Sequence, residues 1–155
     1  MGTSRMRAAI GFAVREPREA WLVLRMAGSV AVLSTLVKVL PLPKALSLLS
    51  ARQGVTRQGE VKLSEERLAQ LLDHLLSLDA LCFTPTCWKR APVLRRYLAK
   101  GGRQTRIVFG LRKGESDLLA GHAWLEADGR PLFEAEPPAY VLTYSFPSQP
   151  DAAKN

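Results

Sequence analysis

Cysteine is scarce in this chain: 155 residues hold two, Cys82 and Cys87. So few in a short chain exclude a disulfide-stapled scaffold and point to a reducing compartment, so a cytoplasmic location is expected. Acids are also scarce. There are 14 Asp and Glu against 22 Lys and Arg, which leaves a formal charge of +8 and a pI near 10.0. A basic balance favours an acidic peptide, an anionic surface or nucleic acid as partner. No aromatic-studded basic motif, zinc-finger spacing or helix-turn-helix pattern is present, so nucleic acid is not expected.

Long apolar runs are missing too. The most apolar stretch, Met26 to Val37, is twelve residues between Arg25 and Lys38, whereas a bilayer span needs roughly 20. The basic start, Met1 to Arg7, is not followed by an apolar segment with a small-residue cleavage site, and no signal peptide is expected. Internal repeats are absent.

What remains is ordinary globular composition, 47% hydrophobic and 23% charged, in a length that suits one core. Glu16-Pro17-Arg18-Glu19 reads as a helix start with Pro in the first turn, and an apolar helix should follow to about Leu40, ended by Pro41 and Pro43. A short helix is expected over Lys44 to Ser50. Residues 51–62 are polar, with Gly54 and Gly59, and read as a linker. Ser64 should cap a helix whose apolar face is Leu68, Leu71, Leu72, Leu75 and Leu76.

Thr84-Pro85 predicts the start of the next helix, and Gly101-Gly102 its end. Cys87, Ala91, Leu94 and Leu98 share one face of it. Lys89, Arg90, Arg96 and Lys100 largely fill the others, and Pro92 is a local flaw. After Gly102 the pattern turns to strands: Thr105 to Leu111, then Leu119 to Ala127 and Arg130 to Glu134 around an Asp128-Gly129 turn, then Tyr140 to Phe146.

Helices followed by an antiparallel sheet make an α+β fold. The organisation expected is an N-terminal helical segment over 1–62, packing on the domain that follows or on a partner. That domain runs over 63–147, and a disordered tail over 148–155 follows. The long apolar helix fits such packing better than a membrane surface, and membrane contact is not expected.

Two residues carry the chemistry. In the first turn of its helix, Cys87 meets the dipole and free N–H groups that favour a thiolate and can hold an oxyanion. Standing alone it is more readily a buried structural cysteine. His122, in Gly121-His122-Ala123-Trp124-Leu125-Glu126, supplies a base near neutral pH. Standing alone it is a hydrogen-bonded strand histidine.

Counting back from the Asp128-Gly129 turn sets His122 opposite residue 134 or 135, so Glu134 falls within cross-strand reach. Glu134 is then the carboxylate that orients the imidazole. Asp128 is the alternative third member, although turn chemistry already explains it. Glu126 shares the parity of His122 but lies further along. His74, inside the leucine-rich helix, reads as structural. A zinc site from Cys82, Cys87, His74 and His122 matches no compact spacing, and no metal or other cofactor is expected.

The segments CWKRAPVLRRYLAKGG, TRIVFGLRKG and GHAWLEADGRPLFE, in that order, resemble the lasso-peptide leader peptidases, transglutaminase-like processing proteins of microcin-type biosynthesis. The resemblance covers about residues 82–146. It implies a papain- or transglutaminase-like fold with Cys87 as nucleophile and His122 as base. The family's third member, usually Asp after the hairpin turn, falls on Glu134 here. Trp88 stands where members often carry Leu, and Pro92 is unusual.

The implied function is cysteine-peptidase removal of the leader from a ribosomally made precursor, before macrocyclisation. The implied partners are the precursor peptide, a separate leader-recognition protein and an asparagine-synthetase-like cyclase. The competing expectations are a transglutaminase-like amide acyltransferase on the same triad and a non-catalytic peptide-binding module of the same fold.

Overall fold

The computed structural model describes residues 17–51, 63–78, 87–113, 119–134 and 139–147. Four helices come first: α1 (Pro17–Val39), α2 (Leu42–Ala51), α3 (Glu65–Leu76) and α4 (Cys87–Lys100). Four strands follow: β1 (Arg106–Lys113), β2 (Leu119–Ala127), β3 (Arg130–Leu132) and β4 (Val141–Phe146). They form one antiparallel sheet in the order β3-β2-β1-β4. The expected α+β architecture is the one observed.

Local sequence accounts for the boundaries. Ser64 is extended, and its hydroxyl accepts from the Arg67 N–H at 3.2 Å, which caps α3. At the far end of α4, Gly102 takes a φ of 87°. The Arg103 N–H reaches the Leu98 carbonyl at 3.0 Å, and the Gly102 N–H reaches Ala99 at 3.1 Å. That pair of bonds is a Schellman ending, which only a residue tolerant of positive φ forms without strain. Asp128 and Gly129 take φ of 52° and 76°, the pattern of a type I′ turn, whose twist suits a tight hairpin. The proposed start at Thr84 and Pro85 lies outside the described residues, as do Cys82, residues 52–62 of the 51–62 linker and the 148–155 tail, whereas Ala51 closes α2.

α4 is the central element. It packs on β2 and β1 on one side and on α1, α2 and α3 on the others. Ala91, Leu94 and Leu98 are almost fully buried, and Cys87 is half-buried against the same cluster. Met26, Val30 and Leu33 of α1 join it, with Leu46 and Leu49 of α2 and Leu71, Leu72, Leu75 and Leu76 of α3. Ile107, Ala123 and Leu125 close it from the sheet.

Enclosure of α4 extends to the faces away from Cys87. Lys89, on one of them, is only 6% exposed. Its aliphatic stem is covered, and its ammonium lies 5.3 Å from the centre of the Trp88 ring. The helices are also fastened by charge. Arg67 of α3 grips Glu19 of α1 through Nε at 2.9 Å and NH2 at 2.8 Å. Arg90 of α4 grips Asp73 of α3 at 2.6 and 3.0 Å.

Candidate active site

β2 alternates its side chains between two faces. Ala123 and Leu125 point into the helical core, so His122, Trp124 and Glu126 share the opposite face. β3 pairs only with Leu125 to Ala127, in the register that a two-residue turn dictates. Beyond Leu132 the chain turns at Phe133, whose φ is 61°. Among the described residues, no β3 residue pairs with β2 beside His122, and Glu134 reaches the imidazole there.

The structure brings His122 and Glu134 together. His122 Nε2 and Glu134 Oε2 are 3.3 Å apart, with side chains 25% and 19% exposed. With Glu134 ionised, Nε2–H donates, and Nδ1 is the nitrogen left to act as base. The contact is long for a charge-assisted bond.

Cys87 is the first residue of α4. Its thiol is free, and among the described residues it makes no hydrogen bond to His122. Arg90, one turn further on, is influenced by the charge of Glu134. Its guanidinium is held charged, above its ordinary range, first by its bond to Asp73. Desolvation opposes that, and the charges of Asp73 and Glu134 add to it. Glu134 therefore feels a cation on the first turns of the cysteine helix.

The alternative acid is elsewhere. Asp128 sits at the hairpin tip, 86% exposed, with Arg103 NH2 at 3.7 Å. Six strand residues from His122 amount to about 20 Å. Glu126 has the right parity but is engaged: it accepts from Arg106 at 2.8 and 2.6 Å and from Trp124 Nε1 at 3.0 Å. His74 is exposed on α3, with Nδ1 2.8 Å from the Gln70 carbonyl.

Sequence reasoning missed the aromatic support of the imidazole. Trp124 stacks on His122 at 5.9 Å between ring centroids, and Tyr140 lies across it at 5.3 Å. Arg112 in turn covers Tyr140 at 4.9 Å. Gly110, the register partner of His122 on β1, makes room for this packing. A Cβ there would stand 2.7 Å from Tyr140 Cβ and 3.0 Å from the Trp124 ring. At the same place the β1–β4 register slips by one residue, and Thr143 Oγ1 donates to the Phe109 carbonyl at 3.0 Å. The i, i+2 spacing of His122 and Trp124 was a usable signal, whereas nothing local marks Tyr140.

A family model described as the transglutaminase-like superfamily matches residues 29–145, from within α1 to the penultimate residue of β4. No curated protein and no solved structure matches the chain.

Proposed function

The chain belongs to the transglutaminase-like superfamily, and from that premise we propose that it is a cysteine-dependent acyl-transfer enzyme working as a leader peptidase. The observation that carries the reading is the His122–Glu134 contact at 3.3 Å, formed where β3 ends, in a chain whose central helix begins at Cys87.

In the proposed cycle His122 takes the thiol proton through Nδ1, and the Cys87 thiolate attacks the scissile carbonyl. Backbone N–H groups in the first turn of α4 face the developing oxyanion. His122 then gives its proton to the leaving amine, and a thioester remains on Cys87. Water, deprotonated by His122, attacks that thioester. The acid product leaves, and the proton returns to the thiol. Glu134 holds the ring orientation and offsets the imidazolium charge, without itself being protonated. The residues need no metal or other cofactor for these steps.

The proposed substrate is the precursor of a lasso peptide, cut between leader and core. The support is the order and spacing of the Cys87, Gly110 and His122 segments, which resemble that group of peptidases. A separate recognition protein would present the leader, and an asparagine-synthetase-like cyclase would receive the freed core amine.

The test mixes the protein with precursor and recognition partner and weighs the products by mass spectrometry. Cleavage should leave two fragments whose masses sum to precursor plus water. Cys87→Ala should lower turnover by about 10⁴-fold or more. Undiminished cleavage by that variant ends the reading. A product carrying an added amine in place of water would move it to acyl transfer.

A further inference from the structure

α1 is apolar on two opposite faces, and the domain uses one of them. At about 100° per residue, Glu19, Met26, Val30 and Leu33 point the same way, and all are buried. Trp21, Leu24, Gly28, Val32, Thr35 and Val39 lie on the far side, within an arc of about 80°. Trp21 is 62% exposed, Leu24 61% and Val39 72%. By length and composition this helix could cross a membrane, with only 22% of its most apolar stretch buried. The twelve-residue run seen in the sequence understates it, because Trp21 to Leu24 extend the apolar surface past Arg25.

The charge around the stripe has one sign. Between residues 17 and 51 the bases are Arg18, Arg25, Lys38 and Lys44, and the only acid is Glu19. Glu19 is on the buried face, paired with Arg67. The exposed Arg18 stands on one flank of the stripe, and the exposed Lys38 on the other. The net charge of the chain is +8.

We propose that the outward stripe of α1, bordered by Arg18 and Lys38, rests on an anionic lipid surface. The helix lies in the plane of the interface, its core-facing side still on the domain. Spanning is excluded by the other face: Met26, Val30 and Leu33 are fully buried, and the Glu19–Arg67 clamp would have to open. A helix of 23 residues lying flat offers about 35 Å of contact. Trp21 at one end suits the headgroup boundary, and the flanking cations suit acidic headgroups. An acidic protein would satisfy the cations but not the apolar arc between them, and a second copy would bring like charges together. The inference is independent of the peptidase reading.

The full chain is floated with vesicles of phosphatidylcholine alone and with vesicles that also contain phosphatidylglycerol. Binding should be stronger by about tenfold or more on the anionic vesicles, and should weaken with salt. Leu24→Glu should reduce it by about tenfold or more. Arg18→Glu with Lys38→Glu should remove the preference for phosphatidylglycerol. Both variants alter exposed positions, and circular dichroism checks that their helix content matches the parent. Three results overturn the proposal: no anionic binding by the parent, binding unchanged in Leu24→Glu, or a concentration-dependent dimer that Leu24→Glu dissolves while vesicles have no effect.

Discussion

At the scale of single residues, the site depends on a few close approaches. Glu134→Gln keeps the shape of the acid but not its charge, and an amide can also present an N–H to the imidazole. On the proposed leader-peptidase reading, kcat/KM for cleavage should fall by about 10²- to 10⁴-fold, measured under single-turnover conditions with the proposed recognition partner present. Asp128→Asn, at the exposed hairpin tip, should leave it unchanged. Equal losses in the two variants would remove Glu134 from its assigned role. Gly110→Ala should destabilise the fold by about 1–3 kcal/mol, read from chemical denaturation, because its Cβ meets Tyr140 Cβ at 2.7 Å. Removing that neighbour with Tyr140→Gly should relieve part of the penalty, and strict additivity of the two changes would argue against the collision. The nearness of Glu134 to His122 was legible from hairpin counting, and the place of Cys87 at a helix start from the residues around it. Tyr140 and Arg90 were not, because their relation to His122 and Glu134 exists only once β4 and α4 are folded in place.

At the scale of elements, sequence signals worked where the local chain decides its own geometry. Ser64, Gly102 and the Asp128-Gly129 turn each set a boundary with their own backbone preferences. Ser64→Ala should cost about 1 kcal/mol, seen as a lower denaturation midpoint with an unchanged slope. An unaltered midpoint would mean that the Arg67 N–H finds water as readily. Signals failed where neighbours decide. The second hairpin strand reads as running to Glu134 in sequence, yet it ends at Leu132, because Phe133 takes a φ of 61°. Among the described residues, no β3 residue then pairs with β2 beside the imidazole. Pro92 removes a backbone donor from mid-helix and still sits in a buried, continuous α4. Packing on every side of that helix outweighs the missing bond.

At the scale of the whole molecule, one apolar cluster joins residues from α1 through β2. The helical N-terminal part and the strand-bearing part therefore share a core. A chain starting at residue 63 would expose Leu71, Leu72 and Leu94, which are now at most 1% exposed. Such a truncation should lose the cooperative thermal transition that the full chain shows by circular dichroism. A sharp transition in the fragment would mean that the sheet and α4 suffice. The α+β order was readable from the change of hydrophobic period after Gly102. The central position of α4 was not, since its basic residues suggested outer faces that the structure covers.

α1 also bears on how this chain can vary. Positions 26, 30 and 33 are held by the core, and polar replacements there would be removed by misfolding alone. Positions 21, 24 and 39 face outward, so folding would let them drift toward lysine or glutamate at no loss. On the proposed lipid contact, tryptophan, leucine and valine at these places answer to a second constraint on the same helix. Among related chains, retention of apolar residues on that outer arc would be its trace.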